Sequence, residues 1–147
     1  MPNTILPLYI CSGAFTADQY RDVLSELYWP ILREKFAGRP FKFQQDNSPV
    51  HRSAAVREWL VDEPAFGSAV VYQPPYSPDL NPIEHVWARI KKMLYKKIYR
   101  TPTQLSRAVQ EAWDQVGQDK EFLLSLTASM PRRLDAVVRA GGGPTEY

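Results

Sequence analysis

Short apolar runs in the first half of the chain predict three β-strands, at residues 5–10, 41–45 and 68–73. Pro7 lies in the first run. Because proline lacks the amide hydrogen that a central strand needs, we expect this strand to be an edge or irregular one. Loops are predicted at residues 62–67 and 74–82, and four prolines in the second loop favour an extended, stiff backbone.

Apolar side chains at intervals of three and four residues predict helices between and after these strands. The first helix has Thr16 and Gln19 in the positions of a capping box, and Pro30 is expected to kink or restart it. The predicted helices cover residues 17–36, Ser48 to about Leu60, Pro82 through Leu94, Thr101 through Val116, and residues 120–128 and 131–140.

The order of these elements is strand, helix, strand, helix, strand and then helices, which is typical of a layered α/β domain rather than a helix bundle. A chain of 147 residues with 44% apolar and 23% charged residues suits one globular domain. It contains no apolar run of membrane-spanning length and no basic-then-apolar leader, so we do not expect secretion. Cys11, the single cysteine, suggests a reducing compartment.

Two carboxylates occupy places where an α/β domain can hold a catalytic site. Asp46 comes directly after the second predicted strand, and Glu84 lies in the first turn of the helix that follows the proline-rich loop. Carboxylate oxygens are preferred ligands of Mg²⁺ and Mn²⁺, which assist phosphodiester cleavage in pairs. The residues leave open the alternative that Asp46 caps the next helix and Glu84 closes a capping box.

The chain is only weakly basic, with a net charge of +2, but its basic residues cluster. Between His85 and Gln110 there is no acidic residue. The basic residues of this segment are Arg89, Lys91, Lys92, Lys96, Lys97, Arg100 and Arg107. They predict either a local positive field for an anionic partner or a solvated helix face.

The chain resembles the catalytic core of the Tc1/mariner superfamily of transposases in FQQDNSPVHRS at residues 43–53 and YQPPYSPDLNPIEHVWARIKK at residues 72–92. GAFTADQYRDVL at residues 13–24 and the tail VVRAGGGPTEY are similar to flanking segments of that domain. The resemblance implies an α/β, RNase H-like (retroviral integrase-like) fold, here partial and lacking its first strands, with C-terminal helices.

The resemblance also implies a metal site, since members of the family bind two ions through three acids. By the match Asp46 is the second acid and Glu84 the third, with 37 residues between them. Asn47 and His51 match positions beside the second acid, where they either orient the site, touch DNA or serve local structure. Asp79 is expected to form a turn, and Trp59, Trp87 and Trp113 are expected in the core.

The family's first acid lies on an earlier strand, whereas the acids before Asp46 all fall on the predicted helix of residues 17–36. They are Asp18, Asp22, Glu26 and Glu34. We therefore expect residues 1–147 to form the C-terminal part of a catalytic domain, without a helix-turn-helix domain, that binds metal weakly and is inactive alone. The alternative is a truncated or domesticated, non-catalytic protein that binds DNA or a transposase.

The resemblance favours DNA as the partner of the basic segment. Arg89, Lys91, Lys92 and Lys96 are expected to contact backbone phosphates weakly and without sequence preference. A homodimer or a full-length transposase is the possible protein partner. The resemblance implies a nuclear location, with the cytoplasm as the alternative.

Overall fold

The computed structural model describes residues 5–143, 145 and 146. The chain divides into two compact units, and each is described by itself. The sheet unit comprises Tyr9–Tyr76, and the helical unit comprises residues 1–8 together with 77–147.

A long helical segment opens the sheet unit. Helix α1 (Ala17–Asp22) begins with the predicted capping box, in which Thr16 Oγ1 accepts from the Gln19 amide at 3.2 Å and Gln19 Oε1 accepts from the Thr16 amide at 2.9 Å. A π-helical stretch, Val23–Tyr28, leads into α2 (Trp29–Phe36). Pro30 lies in the first turn of α2, where the bonding changes from π-helical to α-helical without a break, since proline cannot donate to the preceding turn.

The sheet of this unit is a parallel pair of short strands, shorter than the sequence predicted. β1 (Phe43–Gln45) pairs with β2 (Val70–Tyr72), with Gln45 opposite Tyr72. Parallel strands need a crossover, which α3 (Ala54–Asp62) and α4 (Pro64–Gly67) provide. The short helix α4 corrects the predicted loop at residues 62–67, because Pro64 fits a first helical position and buried Phe66 anchors the turn.

The start of α3 corrects a second expectation. The helix begins at Ala54 rather than at Ser48, and Ser53 caps it by accepting from the Val56 amide at 3.3 Å. The Ser48 amide instead donates to the Asp46 side chain at 2.9 Å. That bond holds a turn after the strand and delays the helix by one and a half turns.

Phe66 is the centre of the sheet unit's aromatic core and is fully buried. Four aromatic rings lie with their centroids 5.1 to 6.2 Å from the Phe66 ring: Trp29, Phe41, Phe43 and Trp59. The prediction that Trp59 packs in the core is therefore confirmed.

The helical unit consists of α5 (Ile83–Leu94), α6 (Pro102–Gln118) and α7 (Lys120–Arg139). Its buried core contains Val86, Ile90, Ala112, Trp113, Val116 and Leu126. The Trp87 and Trp113 rings pack 5.3 Å apart, so both have the predicted core role.

The predicted strand at residues 5–10 is wrong. Ile5 and Leu8 pack against the helical core, and the Trp113 indole donates to the Leu6 carbonyl at 2.9 Å. Residues 5–8 of this run thus cover helices rather than extending a sheet, and the Leu6 carbonyl is satisfied by a side chain. Tyr9 and Ile10 belong to the sheet unit and are exposed.

The C-terminal helices also differ from the expectation, because α7 runs unbroken through Pro131. Residues buried on both sides of the proline, Leu126 and Arg133, hold the two halves in one helix. The helix ends where Gly142, at φ 82°, donates to the Val137 carbonyl at 3.0 Å, and Pro144 of the predicted stop lies outside the described residues. None of the described helices has the length and apolar character that crossing a bilayer requires.

Candidate functional site

Asp46 directly follows β1 and has a half-exposed carboxylate. Its Oδ1 accepts from the Ser48 amide at 2.9 Å and lies 2.6 Å from Nδ1 of His51. Both contacts use the same oxygen, and no described residue donates to Oδ2. Asp46 thus caps a turn rather than helix α3, and one carboxylate oxygen is available for another ligand.

His51 packs beside Asp46 with its side chain 23% exposed. Its ring centroid lies 4.3 Å from that of Tyr20. The separation from Asp46 permits an ion pair when the ring is protonated, but Nδ1 is not aligned for a directed hydrogen bond. The ring therefore forms one wall beside the carboxylate.

A buried pair that the sequence did not indicate lies behind Asp46. The Tyr20 hydroxyl donates to Gln45 Oε1 at 2.7 Å, and both residues are buried. Burial, assisted by nearby charges that include Asp46, raises the pKa of Tyr20 above its ordinary value, so the hydroxyl remains a donor. Gln45 Nε2 is buried without a partner among the described residues. The sequence feature that could have indicated this pair is a glutamine at a strand position that faces inward.

Asn47 ties the end of β1 to the end of β2. Its Nδ2 donates to the Gln73 carbonyl at 2.7 Å, and its Oδ1 accepts from Arg52 at 2.9 Å. The Arg52 guanidinium also lies over the Tyr72 ring, 4.8 Å from the centroid. These contacts fix the backbone on which Asp46 sits.

Glu84 is the second residue of α5 and is exposed. Asn81 Oδ1 accepts from the Ile83 amide at 3.4 Å, but the Glu84 carboxylate accepts from no backbone amide of the described residues in return, so the capping-box alternative for Glu84 is not formed. Within the part of the chain that the structure describes, no group donates to its carboxylate. Glu84 therefore offers two oxygen donors at a helix start, where negative charge is favoured.

The loop before Glu84 is held by Arg133, which the sequence analysis did not single out. Arg133 is 3% exposed and donates to the Asp79 carbonyl at 2.8 Å, to Ser129 Oγ at 2.8 Å and to His85 Nε2 at 2.7 Å. An arginine on the inward face of a helix that lies far along the chain carries no local signal of these partners.

Asp79 has the local role that was predicted for it. Its Oδ1 accepts from the Leu80 amide at 3.2 Å, and its Oδ2 accepts from Thr145 at 2.8 Å. Its side chain thus supports the turn Pro78–Leu80, as expected, while the backbone bond from the Leu80 amide to the Ser77 carbonyl at 3.1 Å closes it.

The four predicted DNA-binding residues differ in their surroundings. Arg89 donates to Asp119 at 2.7 Å, and its guanidinium lies 4.4 Å from the Phe122 ring centroid. Lys91, Lys92 and Lys96 are exposed. Lys96, at φ 63°, lies beyond the end of α5 at Leu94, so it is not part of a solvated helix face.

Asp46 and Glu84 fit a hard divalent cation by donor chemistry, since each presents a carboxylate oxygen without a hydrogen-bond donor on it. Asp46 belongs to the sheet unit and Glu84 to the helical unit. Among residues 5–143, 145 and 146, no group of three or more His, Cys, Asp or Glu is arranged to hold a metal.

Known proteins are similar to this chain in sequence and in fold. A family model described as DDE superfamily endonuclease matches residues 1–106. The Tcb1 transposase of Caenorhabditis briggsae is 34% identical over 141 residues, covering 96% of this chain and 50% of the relative. The Tc3 transposase of Caenorhabditis elegans is 31% identical over 151 residues, covering 97% of this chain and 42% of the relative. The chain thus spans about half the length of the curated relatives it matches.

Two solved structures of the Mos1 transposase catalytic domain with Raltegravir are similar over 91% of this chain and 67% of theirs. The structure with Mg superposes with a TM-score of 0.77 at 24% sequence identity. The structure with Mn superposes with a TM-score of 0.76 at 25% sequence identity. The likeness confirms the expected α/β, partial RNase H-like fold.

Proposed function

The chain belongs to the DDE superfamily of endonucleases and has Tc1/mariner transposases as relatives, and from that premise we propose that it is part of a catalytic domain that cuts and joins DNA. The observation that carries the proposal is Asp46 at the end of β1, with Oδ2 without a donor, within a motif that matches the family.

Asp46 and Glu84 would hold Mg²⁺ or Mn²⁺. The related Mos1 structures, which were solved with Mg and with Mn, support that choice, as does the hard oxygen chemistry of both carboxylates. When bound, such an ion activates water and stabilises the leaving oxygen of a phosphodiester. The chain's own contribution is to orient Asp46, through the Ser48 amide and the Asn47 contacts, and to shield one side of it with His51.

The proposal includes inactivity of the 147-residue chain by itself. Its acids before Asp46 lie on the helical segment of residues 17–36, as predicted, so they belong to helix surfaces and not to a strand end. Two carboxylates hold catalytic ions less firmly than three, and phosphoryl transfer needs those ions closely positioned. A longer transposase copy or a homodimer is the proposed protein partner, and the family suggests action in the nucleus.

A strand-cleavage assay tests this function. The purified chain is incubated with labelled duplex DNA and Mg²⁺ or Mn²⁺, and we expect no metal-dependent nicking by the chain alone. Cleavage that disappears in Asp46→Asn would overturn the inactivity. Metal binding is measured separately by titration calorimetry with Mn²⁺, where the loss of weak binding in both Asp46→Asn and Glu84→Gln is expected. Unchanged binding in both variants would argue against these acids as ligands.

We propose that Lys91, Lys92 and Lys96 bind the DNA backbone. All three are exposed and lie in a segment without acidic residues, whereas Arg89 already has Asp119 as its partner. Contacts with phosphates release counterions, so the binding is expected to be weak, independent of sequence and strongly dependent on salt.

A further inference from the structure

The sheet unit contains a cavity of about 400 Å³ at the start of β1. Half of its twelve lining residues are the apolar Trp29, Leu32, Phe36, Phe41, Ala65 and Ala69. We call it the basic pocket for the charges described next. Its volume lies within the range of known ligand sites, and it is large enough for one or two bulky side chains.

The charged residues that line the basic pocket are all cations, namely Arg33, Arg39 and Lys42. Among the described residues, the side chains of Arg33 and Lys42 have neither an ion-pair nor a hydrogen-bond partner. Arg39 is fixed in place, because its Nε donates to the Phe36 carbonyl at 3.1 Å and its Nη2 to the Lys35 carbonyl at 2.9 Å. The pocket thus combines an apolar interior with uncompensated positive charge.

An occupant must match both features. Carboxylates match the cations, and a large apolar side chain matches the interior. A nucleic acid matches less well, because the Phe36 and Phe41 rings stack on each other at 4.8 Å and 23°, which leaves no slot between them for a base.

We propose that the basic pocket binds an acidic peptide segment of a partner protein, with one aromatic or large aliphatic side chain inserted and carboxylates on Arg33 and Lys42. This site is separate from Asp46, since Phe41 and Lys42 precede β1 and Asp46 follows it. A three-residue strand is about 10 Å long, so the two sites lie at opposite ends of it. The inference goes beyond the proposed DNA chemistry and does not depend on it.

The experiment measures fluorescence anisotropy of a labelled peptide in which one phenylalanine is flanked on both sides by Asp and Glu. We expect saturable binding to the 147-residue chain. A peptide with serine in place of phenylalanine, and one with the acids replaced by their amides, should each bind at least about tenfold more weakly.

Variants of the chain locate the binding. Arg33→Gln combined with Lys42→Gln removes the charges, and Ala65→Phe fills the pocket from an exposed lining position. Each is expected to weaken peptide binding at least about tenfold. Arg57→Gln, which removes an exposed arginine of α3 that does not line the pocket, should leave it unchanged. Circular dichroism and the Tm confirm folding, and Ala65→Phe provides the test if the double variant does not fold.

Three results would overturn the inference. The first is no binding of the acidic peptide at about 1 mM. The second is equal binding of the peptide without phenylalanine, which would show only general attraction between charges. The third is displacement of the peptide by duplex DNA, together with weaker DNA binding by the Arg33 and Lys42 double variant. That result would make the pocket a nucleic-acid site.

Discussion

Arg133 shows how a single buried cation can organise a loop that precedes a candidate metal ligand. Its guanidinium can only donate, so the Asp79 carbonyl, Ser129 Oγ and His85 Nε2 all act as acceptors. Removing it would leave the buried Ser129 hydroxyl and the half-buried Asp79 carbonyl and His85 ring without this donor, and polar groups away from water are costly to leave unpaired.

We expect Arg133→Met to lower the free energy of unfolding by about 2–4 kcal/mol, because charge-assisted hydrogen bonds are lost while the acceptors stay buried or half-buried. Arg133→Lys keeps the charge but not the planar fork, so its loss should be intermediate. Urea denaturation measures both. Arg132→Met, on the neighbouring exposed residue, is the matched control and should change stability by less than about 0.5 kcal/mol. Equal losses at the two positions would contradict the role of the buried network.

Asp119 makes the helical unit sensitive to acid. The hydrogen bond from the Phe122 amide, followed by that from Arg89, lowers the pKa of Asp119 below its ordinary 3.8. A carboxyl whose pKa is lower in the folded state than in the unfolded state stabilises the fold at pH values above its unfolded-state pKa. This stabilisation is lost as the pH falls through the folded-state pKa.

Asp119→Asn keeps an N-cap side chain but removes the charge. The variant should therefore be less stable than the natural chain at neutral pH and should lose less stability below pH 3.8. Denaturation midpoints across that pH window measure the difference. Asp135→Asn, at an exposed position of α7 without those bonds, is the control and should keep the pH dependence of the natural chain. If Asp119→Asn lost stability with falling pH as steeply as the natural chain, the assigned role of Asp119 would be contradicted.

At the scale of elements, periodicity located the helices but not all their ends. Ser48 and Ser53 are both reasonable N-caps by residue type, and Asp46 decided between them by accepting from the Ser48 amide. Pro30 follows a π-helical stretch, whereas Pro131 lies in an unbroken α-helix, because Leu126 and Arg133 hold α7 together on both sides. Local residue preference could not weigh such tertiary contacts.

At two helical glycines, the effect of helix propensity on stability can be compared with the effect of packing around an added Cβ. A Cβ at Gly67, the last residue of α4, would overlap the carbonyl oxygen of Leu60, which belongs to the backbone and cannot move alone. A Cβ at Gly117 in α6 would instead meet a side-chain methyl of Ile5 at 2.6 Å, which can shift. Alanine in a helix interior is favoured over glycine by about 1 kcal/mol.

Gly67→Ala should therefore destabilise the chain by about 1–3 kcal/mol, while Gly117→Ala should be close to neutral or stabilising. Thermal unfolding followed by circular dichroism compares the two. A Tm for Gly67→Ala at or above that of the natural chain would show that the α3–α4 connection adjusts more easily than its backbone contact indicates.

At the scale of the whole molecule, charge distribution matters more than net charge. The total of +2 is small, but the lysines near and after the end of α5 are exposed in a segment without acids. A field of this kind acts on a polyanion through local charge density.

Replacing Lys91, Lys92 and Lys96 together by glutamine should weaken duplex binding and reduce the slope of log K against log salt by about 2–3. A triple variant with the same charge loss at exposed positions elsewhere, Lys120→Gln, Arg132→Gln and Arg139→Gln, is the control. Binding is measured by anisotropy over a range of salt concentrations. Equal losses in the two triple variants would point to net charge alone, and binding that does not change with salt would contradict phosphate contacts.

The sequence by itself determined the α/β class, the family motifs, and the positions of Asp46 after a strand and Glu84 in a first helical turn. These features depend on local periodicity and on spacing along the chain. Tertiary structure decided that residues 5–8 cover helices, that Tyr20 and Gln45 pair behind Asp46, and that Arg133 holds the loop before Glu84. Each of these joins residues at least 25 positions apart, and no local preference encodes which distant group will satisfy a buried donor or acceptor.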